Sequence, residues 1–201
     1  MTTPAVLTIG HSNQSIERFI ELLRAQAVTA IADVRSQPYS RLHPDFNREA
    51  LAEALKRRGI AYVFLGRELG ARPEDPACYE NGRVQYRILA ERQLFKIGLR
   101  RVVEGAKAHR LALLCAEKEP LACHRTLLVS RALEAAGTSV THIHADGGLE
   151  SHADAMTRLL RLLGMPDADL FRSQQQLIAD ACAAQEQRIA YVDEKLRVEM
   201  D

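Results

Sequence analysis

The chain has 201 residues, 47% of them hydrophobic and 26% charged, which suits one globular domain with a full core and excludes disordered and collagen-like classes. Its 27 basic and 26 acidic residues leave a formal charge of +1, so neither a strongly basic nucleic-acid protein nor an acidic tail protein is expected.

Residues 5–9 (AVLTI) form a short apolar, partly β-branched run that ends at Gly10 and reads as a buried strand. Ile16, Phe19, Ile20, Leu22 and Leu23 then recur at helical spacing, giving an amphipathic helix over 15–25. A second strand is predicted over 28–34, and a proline-containing loop over 36–46. Asn47 can cap a helix that reaches Arg58 and stops at Gly59. A third strand (60–64), a Gly- and Pro-rich loop (66–83), a long helix (86–109) and a fourth strand (111–115) follow. A helix over 126–136 is closed by Gly137. A fifth strand (139–143) and two helices (153–163 and about 170–200) complete the reading.

Short apolar strands alternating with helices predict an α/β fold. The expected form is a single domain with a mostly parallel sheet of about five strands, helices on both faces and a helical C-terminal extension. Residues 1–165 would be the core domain and 166–201 the extension. The extension holds eight acidic and four basic residues, against 23 basic and 18 acidic in the rest. It could pack on the core, mediate association as a homodimer, or sit loosely, and its apolar helical spacing favours packing.

The four cysteines (Cys78, Cys115, Cys123, Cys182) are too few and scattered for a disulfide framework. No apolar run approaches the ~18 residues that span a bilayer, so no membrane is expected. The first ten residues lack the basic start and long apolar stretch of a signal peptide. The expected setting is cytoplasmic, with free thiols.

Ligands of open parallel sheets bind beyond the carboxyl ends of the strands. The predicted strands deliver His11 and Ser12, then Asp33, Arg35, Ser40 and Arg41, then Cys115, Glu117, Cys123, His124 and Arg125, to that one edge. Cys115 ends a strand, and Cys123 and Arg125 sit where a helix starts. A helix start favours an anion or a thiolate of lowered pKa. The order strand, Cys, loop, Arg, helix is similar to that of thiol phosphatases and rhodaneses. The spacing departs from theirs, because Arg125 is ten residues after Cys115 and two after Cys123.

Cys115 is the first candidate nucleophile and Cys123 the second, with Glu117 or His11 moving protons. A buried, inert cysteine is the competing reading of Cys115. Arg35, Arg41 and Arg125 would bind an anion, aided by Ser12, Ser40 and His124, while Asp33 orients an Arg or His. Cys115, Cys123, His124 and His11 could offer four metal ligands. The spacing argues against them, with no CxxC or HxxxH pair and with Cys123 and His124 adjacent. No metal or other cofactor is expected. Nucleic acid is the less favoured partner, since only 5% of residues are aromatic and no helix-turn-helix signature is present.

The leading expectation is an enzyme acting on a small polar or anionic ligand. The alternative is a non-catalytic module binding the phosphates of nucleotides or nucleic acid through the same arginines.

With these residues in view, the chain resembles domain-of-unknown-function family 488 (DUF488). The matching pieces are Thr8 to Ser12 (TIGHS), Asp33 to Arg35 followed by Pro38, Ser40 and Arg41, and Leu65-Gly66 with Leu69-Gly70. They continue with Leu114 to Glu117 (LCAE), Cys123 to Arg125 (CHR), His142-Ile143 leading to Asp146-Gly147, and Asp169 to Phe171. The resemblance implies that the residues at the sheet edge belong to one family site, and it supplies no reaction.

Overall fold

The computed structural model describes residues 5–197. Its central element is β6 (Leu111–Cys115), buried along its whole length. A strand covered on both faces reads as a continuous apolar run rather than an alternating one. β1 (Ala5–Gly10) flanks β6 on one side and β2 (Ala30–Asp33) on the other, both parallel to it. β3 (Ala61–Phe64) extends the sheet beyond β2, and β7 (Ser139–Ile143) extends it beyond β1, again in parallel.

α1 (Ile16–Ala25) and α2 (Arg48–Lys56) cover one face, packing Phe19, Leu23, Leu51 and Leu55 on Ile9, Ile31 and Leu114. The other face packs against α5 (Gln93–Ala108), α6 (Arg131–Ala135), α7 (His152–Leu162) and α8 (Gln174–Ile189), through Phe95, Val102, Leu133, Leu160 and Leu177. β1 leads to β2 on one side of β6, while β6 leads to β7 on the far side of β1. Connections that diverge from neighbouring strands open a crevice at their carboxyl ends. That crevice lies beside Gly10, Asp33 and Cys115.

The α/β architecture is as expected, and several details differ. The sheet has six strands, because β8 (Leu149–Ser151) turns back antiparallel on β7. Three residues reading Leu-Glu-Ser are too short to show alternation. The predicted loop over 66–83 contains α3 (Gly66–Leu69) and a hairpin of β4 (Tyr79–Glu80) and β5 (Arg83–Val84). Asn81 and Gly82, both at positive φ (48° and 74°), make its turn. Asn-Gly is the strongest short-range hairpin signal.

The predicted long helix is two, α4 (Tyr86–Glu91) and α5, separated by Arg92 at φ −66°, ψ 139°. The last helix is shorter than 170–200. It starts after Ser173, whose side chain accepts from the Gln176 amide while the Gln176 side-chain oxygen accepts from the Ser173 amide. It ends at Ala190 with ψ 138°; the expected stretch over 198–200 lies outside the described residues. The segment after α8 pairs with the hairpin, as the Val84 amide donates to the Tyr191 carbonyl (3.0 Å) and the Asp193 amide to that of Gly82 (2.7 Å). No helix among the described residues is long and apolar enough to cross a membrane.

Candidate functional site

β6 carries Cys115 to the sheet edge, and the chain then makes a tight excursion back to a helix start. The Glu119 carboxylate accepts from the Leu121 amide (3.0 Å) and caps a 3-10 turn over Pro120–Ala122. Cys123 is extended (φ −139°, ψ 140°), while His124 is already helical (φ −60°, ψ −28°). Consecutive side chains on a strand point apart. The change of backbone region between Cys123 and His124 cancels that divergence and turns both side chains toward Cys115.

Arg125–Ser130 then form a π-helical turn that runs into α6. Such turns are frequent at functional sites. Gly10 lets the loop lie against β1, because a Cβ there would sit 1.8 Å from the Glu117 carbonyl oxygen.

The outcome is a cluster of four donors. One Glu117 carboxylate oxygen accepts from both thiols, at 2.9 Å from Cys115 Sγ and 3.1 Å from Cys123 Sγ. His124 Nδ1 lies 3.6 Å from Cys115 Sγ and 3.9 Å from Cys123 Sγ. Its Nε2 donates to the Val34 carbonyl (3.1 Å), which orients the ring from the end of β2. Both thiols are buried, whereas Glu117 reaches in from the exposed loop.

Burial pushes the Cys115 thiol well up, and its Cys123 neighbour pushes it further. Burial opposes ionisation of Cys123 as well. There it is outweighed by the Cys115 hydrogen bond, the Arg125 guanidinium and His124, which hold that thiol well below its usual range. The two thiols therefore differ, Cys123 being the more readily ionised of the pair. Burial, and then the charge on Cys123, raise the Glu117 carboxyl. His124 is raised too, because its bond to Cys123 outweighs the cost of burying its charge.

Arg125 is turned inward. It is fully buried, and its guanidinium donates to the carbonyls of Glu117 (2.7 Å) and Lys118 (3.4 Å). Its amide donates to Cys123 Sγ (3.4 Å), while Nε has no partner. Arg125 therefore positions the loop and stabilises charge on Cys123 from behind.

Asp33 is fully buried and grips Arg35 through both oxygens (2.9 and 2.6 Å), with the Tyr62 hydroxyl on its second oxygen (2.8 Å). His11 stacks on Phe46 at 4.3 Å. Its Nδ1 donates to the Ser12 carbonyl (2.8 Å), and its Nε2 accepts from Arg35 (3.2 Å). Burial, then Arg35, lower its pKa to about 4. His11 is a neutral prop for Arg35, with both nitrogens engaged. Ser12 takes positive φ (49°) where its amide meets the Ala116 carbonyl, and Ser40 accepts from the amides of Leu42 and His43. Arg41 is exposed on that loop and lies outside the cavity lining.

A cavity of about 400 Å³ opens onto the thiols, Glu117 and His124, with Arg35 and Arg72 on its walls. Tyr39, Tyr86 and Tyr191 also line it, and the Arg72 guanidinium stacks over Tyr191 at 4.5 Å. The sequence reading missed Arg72 and the three tyrosines. Arg72 stands just past Leu69-Gly70 and Tyr39 between Pro38 and Ser40, both among the pieces that carried the resemblance, so these two had a nearby signal and Tyr86 and Tyr191 had none.

Fold and site together define an α/β protein with a two-thiol cluster at the carboxyl edge of its sheet. The model of domain of unknown function DUF488 matches residues 15–132, and the chain belongs to that family. No curated protein matches it. Among solved structures, a DUF442 protein from Shewanella putrefaciens CN-32, provisionally named a phosphatase, is similar at TM-score 0.40 and 13% identity, over 90% of this chain and 89% of that one.

Proposed function

We propose that the protein is an enzyme acting on a small anionic substrate in the 400 Å³ cavity, with Cys123 as its nucleophile. The observation that supports this most is the convergence of two thiols, a carboxyl and an imidazole on a cavity that also holds two arginines. Arg35 and Arg72 attract and orient the anion. Cys123 sulfur attacks the electrophilic centre as the bond to the leaving group breaks, and the Glu117 carboxyl gives that group its proton. Water then takes the transferred group from sulfur, and the proton it sheds returns to Glu117. This reading moves the nucleophile from Cys115, the first candidate on sequence, to Cys123. The reason is that Cys123 has the Arg125 charge and backbone amide beside it.

Alkylation tests the reading without a known substrate. In the reduced, metal-free protein, mass spectrometry should find Cys123 modified fastest of the four cysteines. Iodoacetate should gain on neutral iodoacetamide relative to a free thiol, and Arg72→Ala should remove that gain. If Cys123 reacts no faster than Cys78 or Cys182 at every pH where the protein is folded, the nucleophile is not there.

A further inference from the structure

We propose that Cys115, Glu117, Cys123 and His124 form a binding site for one thiophilic divalent cation of the zinc class. The site is built rather than fortuitous. Its four donor atoms all lie within 4.8 Å of one another, although they come from a strand end, a loop and a helix start. Tetrahedral zinc with Zn–S near ~2.3 Å and Zn–N near ~2.0 Å requires S···N edges of about 3.6 Å. The two observed edges are 3.6 and 3.9 Å. The carboxylate oxygen sits closer to the sulfurs, at 2.9 and 3.1 Å, as expected where thiol protons occupy the centre. A cation there replaces up to two thiol protons, which leave to solvent, and the oxygen relaxes outward.

The surroundings also fit. A metal-bound imidazole almost always donates its second N–H to a carbonyl or carboxylate. His124 does so to Val34 at 3.1 Å, which leaves the Nδ1 lone pair facing the sulfurs. Two thiolates, a carboxylate and a divalent cation sum to one negative charge, and the buried Arg125 guanidinium behind Cys123 balances it. The cavity gives a path of entry. Two thiolates and an imidazole select zinc, cobalt or cadmium over magnesium and calcium.

On sequence, the adjacent Cys123 and His124 would rarely both reach one ion, an objection to the site. That objection fails because the backbone passes from extended to helical between them. His11, the other ligand considered, is taken up by Arg35 and Ser12. The metal site rests on the donor geometry alone. Its consequence, that the loaded protein has its nucleophile masked, rests on the thiol reading above.

Cobalt(II) titration of the reduced protein is the test. One equivalent should produce a thiolate-to-cobalt charge-transfer band together with intense tetrahedral ligand-field bands, and zinc should abolish both. Cys115→Ser and Cys123→Ser should each lose much of the charge-transfer intensity, and His124→Ala, which removes a direct ligand, should weaken affinity by more than the roughly 10–100-fold that loss of an outer-shell partner costs. Cys182→Ser, remote from the cluster, should bind as the parent does. Zinc should also protect Cys115 and Cys123 of the unmodified protein from alkylation, a readout that needs no variant to fold.

Absence of the bands in the parent, or their persistence in the Cys115→Ser/Cys123→Ser double variant, overturns the metal site. Fast alkylation of Cys123 with no cobalt spectrum leaves the thiol enzyme standing alone. Cobalt binding with sluggish Cys123 alkylation in the metal-free protein leaves the metal site and removes the nucleophile.

Discussion

A methyl group at Gly10 has nowhere to go. It would lie 1.8 Å from the Glu117 carbonyl oxygen and 3.2 Å from the Arg125 guanidinium, so the loop that holds Glu117 must move or the fold must yield. Overpacking of this kind costs about 1–3 kcal/mol. Gly10→Ala should therefore lower the urea midpoint by that order and also slow Cys123 alkylation, because the loop cannot both shift and keep Glu117 over the thiols. Gly59→Ala is the contrast: no atom lies within 4 Å of its added Cβ, and its positive φ of 73° is the sole source of strain. That variant should lose stability with Cys123 reactivity intact. A Gly10→Ala protein that is stable and equally reactive would mean that the approach of loop to strand does not shape the site.

At the scale of the element, the π-helical turn sets up two substitutions of opposite sign. Ser130 Oγ donates to the Arg125 carbonyl (2.7 Å) inside the turn, and both residues are fully buried. Thr126, one position after Arg125, has a buried hydroxyl with no partner. A typical buried hydrogen bond contributes about 1 kcal/mol, and an unmade one costs about 1–3 kcal/mol. Ser130→Ala should thus destabilise by about 1 kcal/mol, while Thr126→Val, which keeps the shape and removes the orphaned hydroxyl, should stabilise by a similar amount. Equilibrium urea titration reads both. Loss of stability in Thr126→Val would show that the hydroxyl is engaged in solution.

Most elements were legible because their periodicity is local. Leu111 to Cys115 declares a strand covered on both faces, whereas the Asn81-Gly82 hairpin lies in a stretch read as loop, because its strands are only two residues each. What escaped was set from a distance or by a single dihedral. Arg92 looks helical in its neighbourhood, yet its ψ of 139° divides α4 from α5. Arg125 reads as an anion clamp at a helix start, and only the packed structure shows it turned inward onto the Glu117 and Lys118 carbonyls. Tyr191 joins the cavity because the chain after α8 returns to β5, a contact about 100 residues apart that no local pattern announces.

For the molecule as a whole, acid should act through histidines buried as neutral bases. Thr8 Oγ1 lies 2.8 Å from His142 Nδ1, and His142 Nε2 lies 3.2 Å from His152 Nδ1, a buried polar chain on the α7 side of the sheet. Burial, then the neighbouring His152, lower His142 to about 2. Burial and Arg131 lower His152 to about 4. In the unfolded chain these rings take up protons near ~6.5. Between that pH and the folded values, unfolding binds protons, so stability falls as pH drops from about 6.5 toward 4. Each such histidine contributes a slope of up to about 1.4 kcal/mol per pH unit in that window, and none above it. The share of the urea midpoint due to these two histidines should therefore be flat from pH 8 to 7 and should fall steeply below 6. Carboxylates that titrate on acidification add to the fall, so the histidine share must be read as a difference. His152→Gln removes one titrating group and leaves a neutral side chain able to meet His142. It should start less stable at pH 7 and then lose less per pH unit between 6 and 4.5 than the parent. Parallel curves for parent and variant would mean that His152 gains its proton in the folded protein, contrary to the neutral pair that the packing against β7 requires.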